Sequence, residues 1–207
     1  MIVSVASSPD STSIASGGAD ATVQIWEVAT GRRQMTYTHH TDTITSVAWS
    51  PDGKYIASAS YDRTVQVWEV ATGKPIFIYR KHADKVYAVA WSPDGQRIAS
   101  GSLDKTVHVW PASLFEGTGQ GKKPATVIYS GHQRAIQDVS WSPDSRTIAS
   151  AADNVQLWNG LTGEHIFTYT GHAIHVALEV QAVAWSPNGR YIASGGMEGT
   201  VQVWNAR

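Results

Sequence analysis

The sequence predicts an all-β protein built from five similar four-stranded sheets, the last of them one strand short. Three observations predict it. One phrase keeps returning: "WSPDGKYIASASYDRTVQVW" at 49–68, "WSPDGQRIASGSLDKTVHVW" at 91–110 and "WSPNGRYIASGGMEGTVQVW" at 185–204. Within each copy, apolar and polar residues alternate with period two and never at helical spacing. Ser-Pro and Gly-containing turns punctuate the copies at short intervals. A repeat of this length sets the frame for everything else in the chain.

Five units align on a serine-proline pair: "SSPDSTSIAS" (7–16), "WSPDGKYIAS" (49–58), "WSPDGQRIAS" (91–100), "WSPDSRTIAS" (141–150) and "WSPNGRYIAS" (185–194). Each leads to a second signature: "TVQIW" (22–26), "TVQVW" (64–68), "TVHVW" (106–110), "NVQLW" (154–158) and "TVQVW" (200–204). All nine tryptophans fall at these two repeat positions, and Ser7 stands where a tenth would be. In the second unit, "SVAWS" (46–50) and "YIASAS" (55–60) are strands joined by the turn "PDGK", where proline presets φ and Asp-Gly accommodates positive φ. "TVQVWEV" (64–70) sets Val65 and Val67 against Gln66 and Trp68, and "PIFIYR" (75–80) follows the turn "ATGK" as a fourth strand. The units run over about 1–38, 39–80, 81–130, 131–170 and 171–207, read as one domain over 1–207. The fifth unit stops after its third strand in "VQVWNAR", and the first begins directly in "IVSVA", for nineteen strands in all. One such sheet cannot bury both faces, but stacking like sheets radially does.

The 207 residues carry a formal net charge of −1 and no run of like charge, which points away from nucleic acid and anionic membranes. There is no cysteine, hence no disulfide, thiolate nucleophile or cysteine-bound zinc. No apolar stretch approaches the roughly 20 residues of a membrane helix, and "MIVSVASSPD" lacks the basic and apolar regions of a signal peptide. The chain reads as soluble and cytoplasmic.

Glycine-histidine, an apolar strand, S-P-D-G, I-A-S-x-S and D-x-T-V-x-V-W together resemble the WD-repeat (WD40) β-propeller family, of a bacterial-looking type, across nearly the whole chain. The fold class implied is a WD40-type propeller of five blade units with the last incomplete, a partial or open ring. Two features depart from the pattern. Glu27, Glu69, Pro111, Asn159 and Asn205 follow the five tryptophans in place of aspartate, and the glycine-histidine pair survives only at Gly131-His132 and Gly171-His172. The resemblance implies a buried hydrogen-bonded tetrad per blade: His40, Ser58, Asp62 and Trp68; His82, Ser100, Asp104 and Trp110. Degraded versions are His132, Ser150 and Trp158, with Asp153 standing in after a shortened turn, and His172, Ser194 and Trp204, with Glu198 in place of aspartate. The first unit offers Ser16, Asp20 and Trp26 without a histidine. A Ser-His-Asp set could read as catalytic, but a set that recurs in every blade argues for scaffold.

The resemblance further implies a non-enzymatic scaffold for protein–protein interaction, a recognition region of a larger signalling or regulatory protein. The rivals are a propeller that binds small ligands or glycans and, less favoured, an enzyme. An enzyme needs one non-repeating polar cluster on the innermost strands, where only Asp138 interrupts "SVAW", "AVAW", "DVSW" and "AVAW". No metal or cofactor is expected. The expected partner-binding face gathers the turns between second and third strands and the loops before the first strands. It offers Tyr61, Arg63, Tyr87, Leu103, Lys105 and Met197, the residue types of interaction hot spots. Two insertions, at 111–127 and 173–180, read as surface loops. The unfinished last blade suggests a piece of a longer array, or self-association through the exposed edge of its final strand.

Overall fold

The computed structural model describes residues 1–112, 126–172 and 179–206. Most of both insertions, including His175, lies outside the described residues. Five antiparallel sheets follow one another in chain order. The first blade holds β1 (Ile2–Ser7), β2 (Ser13–Gly18), β3 (Val23–Glu27) and β4 (Arg33–Tyr37). The second holds β5 (Ile44–Trp49), β6 (Tyr55–Ser60), β7 (Val65–Glu69) and β8 (Pro75–Tyr79). The third holds β9 (Val86–Trp91), β10 (Arg97–Ser102), β11 (Val107–Pro111) and β12 (Val127–Tyr129). The fourth holds β13 (Asp138–Trp141), β14 (Thr147–Ala151), β15 (Val155–Asn159) and β16 (His165–Tyr169). The fifth is the three-stranded sheet β17 (Val180–Trp185), β18 (Tyr191–Gly196) and β19 (Val201–Asn205). The first strands β1, β5, β9, β13 and β17 neighbour one another in sequence order, so the sheets form an open propeller with an unclosed last blade. No helix among the described residues is long and apolar enough to cross a membrane.

The turns explain the repeat. In "SPDG", Ser50 Oγ donates to Asp52 Oδ1 at 2.6 Å and accepts from Tyr55 N at 2.9 Å, closing the first hairpin. Gly53 adopts φ 72°, a left-handed conformation that glycine takes without a Cβ clash. In the second turn Asp62 Oδ1 accepts from Thr64 N at 3.0 Å and Thr64 Oγ1 at 2.7 Å. The short polar side chains thus satisfy the backbone where the ladder stops.

The core lies between blades, not within them. Ala15, Val23, Ile25 and Tyr37 of blade one close on Ile44, Val47, Ile56 and Trp68 of blade two. Ala57, Ala59, Val65 and Val67 of blade two close on Val86, Val89, Trp91, Ile98 and Trp110 of blade three. Each sheet therefore has a forward face of small residues and valines, and a rear face of isoleucine or valine with tryptophan. One steric rule recurs at these seams. Gly17 and Gly101 each meet an isoleucine: a Cβ built on Gly17 would lie 2.4 Å from Ile44 Cγ2, and one on Gly101 would lie 2.5 Å from Ile136 Cγ2. At the same position Ala59 and Ala151 share clusters with the smaller Val86 and Val180. Close packing allows little other choice, since one methyl too many forces displacement.

Candidate functional site

Two groups of residues compete for function: the buried histidine columns and the rim above them. The columns come first. Each histidine lies just before a blade's first strand and reaches inward between second and third strands. His40 Nδ1 is 2.7 Å from Asp62 Oδ2, and its Nε2 is 2.8 Å from Ser58 Oγ. His82 repeats this with Asp104 at 2.9 Å and Ser100 at 2.8 Å. His132 uses Asp153 at 3.0 Å and Ser150 at 2.7 Å, so the shortened turn still delivers a carboxylate. His172 pairs closely with Glu198, and its Nε2 is 2.7 Å from Ser194 Oγ. With the carboxylate accepting from Nδ1–H, Nε2 accepts from the serine hydroxyl, which leaves Oγ free to accept an indole N–H. Trp26 donates to Ser16 at 2.8 Å, Trp158 to Ser150 at 3.3 Å, Trp204 to Ser194 at 3.4 Å and Trp110 to Ser100 at 3.5 Å.

Trp68 departs from the set. Its buried Nε1 finds no partner, so blade two holds a His40–Ser58–Asp62 triad, with the indole held by packing alone. Tyr37 stacks on that indole with centroids 4.5 Å apart, as Tyr79, Tyr129 and Tyr169 do on the tryptophans of the next three blades.

Burial raises the pKa of the Asp62 carboxyl, but the hydrogen bonds from His40 and Thr64 outweigh it and hold it at about 2. Hydrogen bonds from Thr200 and His172 likewise bring Glu198 down to about 2. Desolvation pushes the Tyr79 hydroxyl up to about 12. The order serine, imidazole, carboxylate is that of a hydrolytic triad. Its nucleophile positions, however, are sealed between sheets: Ser58, Ser100 and Ser150 have no exposed surface. Buried in this way, the hydrogen-bonded groups order the core.

Blade three adds a residue outside the repeated histidine positions. His108 replaces the glutamine found at Gln24, Gln66, Gln156 and Gln202. In blade two, Gln66 Oε1 accepts from Tyr37 Oη at 2.9 Å. In blade three, His108 Nδ1 takes that place, 2.8 Å from Tyr79 Oη. Its ring stacks on His82 with centroids 4.0 Å apart and 20° between planes. Desolvation, then the neighbouring His82, lower the His108 pKa to about 4. His82, Asp104 and His108 bring three ligand-type atoms within 4.8 Å. Imidazole lone pairs lie in the ring plane, so two nearly parallel stacked rings do not converge on one ion. Asp104 is also occupied by Thr106 N, Thr106 Oγ1, Ala83 N and His82. Within the trio, His82 bonds Asp104, while His108 bonds Tyr79 and only stacks on His82.

The rim is where the second turns and the loops before the first strands meet. Tyr61 N donates to Thr43 O at 3.0 Å, Leu103 N to Lys85 O at 2.9 Å and Met197 N to Glu179 O at 2.9 Å. Tyr61 of blade two and Tyr87 of blade three come together across the seam with centroids 5.5 Å apart. Lys85, absent from the sequence expectation, places Nζ 4.4 Å over the Tyr61 ring. No pattern within one repeat shows this contact, because it joins neighbouring blades. Leu103 adjoins Lys85 through its backbone. Arg63 and Lys105 follow in the same turns with φ 69° and 70°. Arg134 pairs with Glu179 at 3.5 Å, and Gln137 reaches the same carboxylate at 2.8 Å. Met197 is exposed on the fifth blade, and no contact ties it to the tyrosine pair. Asp138, on an innermost strand, bridges blades instead: it accepts from Val139 N at 2.8 Å and Val183 N at 2.9 Å, and desolvation raises its pKa to about 6.

The WD domain, G-beta repeat, family matches residues 2–27, 31–69, 73–111, 122–159 and 163–205. The matched segments are offset from the sheets: 31–69 runs from β4 through β7, so a blade's outer strand begins the next match. A search of curated proteins found no significant match.

Proposed function

The chain belongs to the WD-repeat family, whose members generally mediate protein–protein interaction, and from that premise we propose that it is a non-enzymatic scaffold that binds a protein partner on the rim of blades two and three. One observation carries this reading: Tyr61, Tyr87 and Lys85 form an aromatic and cationic cluster across a blade seam, flanked by exposed Arg63 and Lys105. Rigid aromatic surface beside cations is the composition of an interaction hot spot. On the opposite rim the "SPDG" and "SPDS" turns are near-identical, and their polar side chains bind their own backbone. Arg63 and Lys105 occupy left-handed backbone where the fifth blade uses Gly199, so long side chains are kept there against local strain.

The test is capture of a partner by immobilised protein, comparing Tyr61→Ala with Tyr87→Ala against Lys54→Ala with Arg146→Ala on the opposite rim. The rim pair is expected to weaken capture at least about tenfold, as loss of a hot spot does, with an unchanged melting temperature. Loss of capture in the Lys54 and Arg146 variant, with capture intact in the tyrosine variant, moves the site to the other rim.

A further inference from the structure

The outward faces of the first and fifth blades carry the residues that every inner seam buries. Val23, Val65, Val107 and Val155 are 0% exposed, but their counterpart Val201 is 75% exposed. Ile25, Val67, Val109 and Leu157 are at most 2% exposed, but Val203 is 67% exposed. On the rear side, Ile44, Val86, Ile136 and Val180 are buried, while Ile2 in blade one is 55% exposed; Val47 is 5% exposed and Val5 66%. The four inner seams show what each kind of face accepts. A forward face takes a rear face, with glycine opposite isoleucine and alanine opposite valine. Blade five presents Gly195, around which a Cβ would meet nothing closer than 3.9 Å, and blade one presents Ile2. The free pair is therefore the glycine–isoleucine combination found at Gly17–Ile44 and Gly101–Ile136.

We propose that a second copy of this chain docks head-to-tail, with the rear face of its first blade on the forward face of the fifth. The occupant is argued from continuity with the inner seams and from this size match. Polar contacts permit it. Ser4 Oγ accepts from Val47 N and Asp138 Oδ2 from Val183 N, but the seam between blades three and four forms with Ala88 at that position, as Ala182 would require here. Two elements are missing. The three-stranded fifth blade offers no fourth-strand tyrosine to stack on Trp26, as Tyr37 stacks on Trp68. Trp49 Nε1 donates to Ala6 O and Trp141 Nε1 to Ala90 O, whereas blade one has Ser7. The contact joins unlike faces, and two copies bring ten blades, more than the about 4–8 of closed rings. Copies therefore add in an open string.

Sedimentation velocity across a wide concentration range tests this. The parent chain is expected to grow in mass with concentration. Val201→Lys with Val203→Lys, and separately Ile2→Lys with Val5→Lys, should each be monomeric, because each keeps one competent face; the lysines replace exposed residues. Mixed, the two variants should form a one-to-one dimer and stop. Ser7→Trp, which supplies the indole, should raise the association constant by about tenfold or more. A parent that stays monomeric throughout overturns the proposal, as does a mixture without dimer. So does an Ile2 and Val5 variant that still self-associates, which would instead mark edge pairing of β19.

Discussion

Blades three and five are written in almost the same words, "IASGSLDKTVHVW" (98–110) and "IASGGMEGTVQVW" (192–204). Blade three has a neighbour on each face, and Trp110 is wholly buried. In blade five, Val201 and Val203 face outward, while Trp204 packs back on blade four and is half-buried at the edge of a three-stranded sheet. The motif therefore specifies a surface that becomes core only when the next blade covers it. Hydrophobic stabilisation here belongs to pairs of blades, as expected where each repeat contacts only its neighbours.

The largest effect should come from cutting the same residue out of each blade. Trp110→Ala is expected to cost about 3–5 kcal/mol, the range for a buried tryptophan, because the indole has no exposed surface, whereas Trp204, beside the equivalent Phe167 and Tyr169, is half-buried. Trp204→Ala should cost less than about half of that, since solvent already reaches one side. Urea midpoints of the two variants measure the difference, and equal losses would break the comparison.

A smaller contrast lies in the polar columns. Ser100→Ala leaves His82 Nε2 without its donor in a sealed space and should cost about 1–3 kcal/mol. Ser16→Ala in the first blade removes a partner from Trp26 alone and should cost less. Thermal melts of the two variants check the order.

The smallest effect separates blade three from the others by pH. Tyr79, Lys81, His82 and Asp104 surround or act on His108. With its folded pKa lowered to about 4 from 6.5, the unfolded chain takes the proton first as pH falls. The His108 contribution is whole above pH 6.5 and is lost as pH drops toward 4. His108→Gln, the residue of the other four blades, should remove that loss and hold about 1–2 kcal/mol more stability at the acid end, after discounting for partial solvent screening. Asp138 titrates in the same region with opposite sign. Its pKa is raised to about 6, so its buried charge weakens the fold as pH rises from 3.8 to 6. The comparison of parent with His108→Gln cancels it, and parallel stability curves from pH 7 to 4 would sink the assignment.

Strands, turns and blade count were legible because their causes are local. Period-two alternation marks "TVQVW", and Pro, Asp and Gly mark the turns. The repeat also supplied the histidine, serine and carboxylate positions, including Asp153 after a shortened turn. What the repeat hid was whatever depends on a neighbouring sheet. Tyr61 and Tyr87 lie 26 positions apart in sequence, and only stacking of blades two and three lets them touch. Trp68 looks identical to Trp110 in its motif, yet its N–H is left without a partner, although Ser58 lies on the adjacent strand of the same sheet. His108 was visible as a departure from glutamine, but its role required the stacked His82 ring to be in place.

The glycine and alanine residues at the seams alternate along the chain: Gly17, Ala59, Gly101, Ala151, Gly195. Their partners alternate in step, so the sterically matched unit is a pair of blades and not one. Excising blade three alone would set Ala59 against Ile136, with a methyl too many. Excising blade two alone would set Gly17 against Val86, with a gap. Removing both together restores Gly17 to an isoleucine. Removing or adding blades in even steps keeps every seam matched, whereas odd steps leave one seam a methyl over or a methyl short.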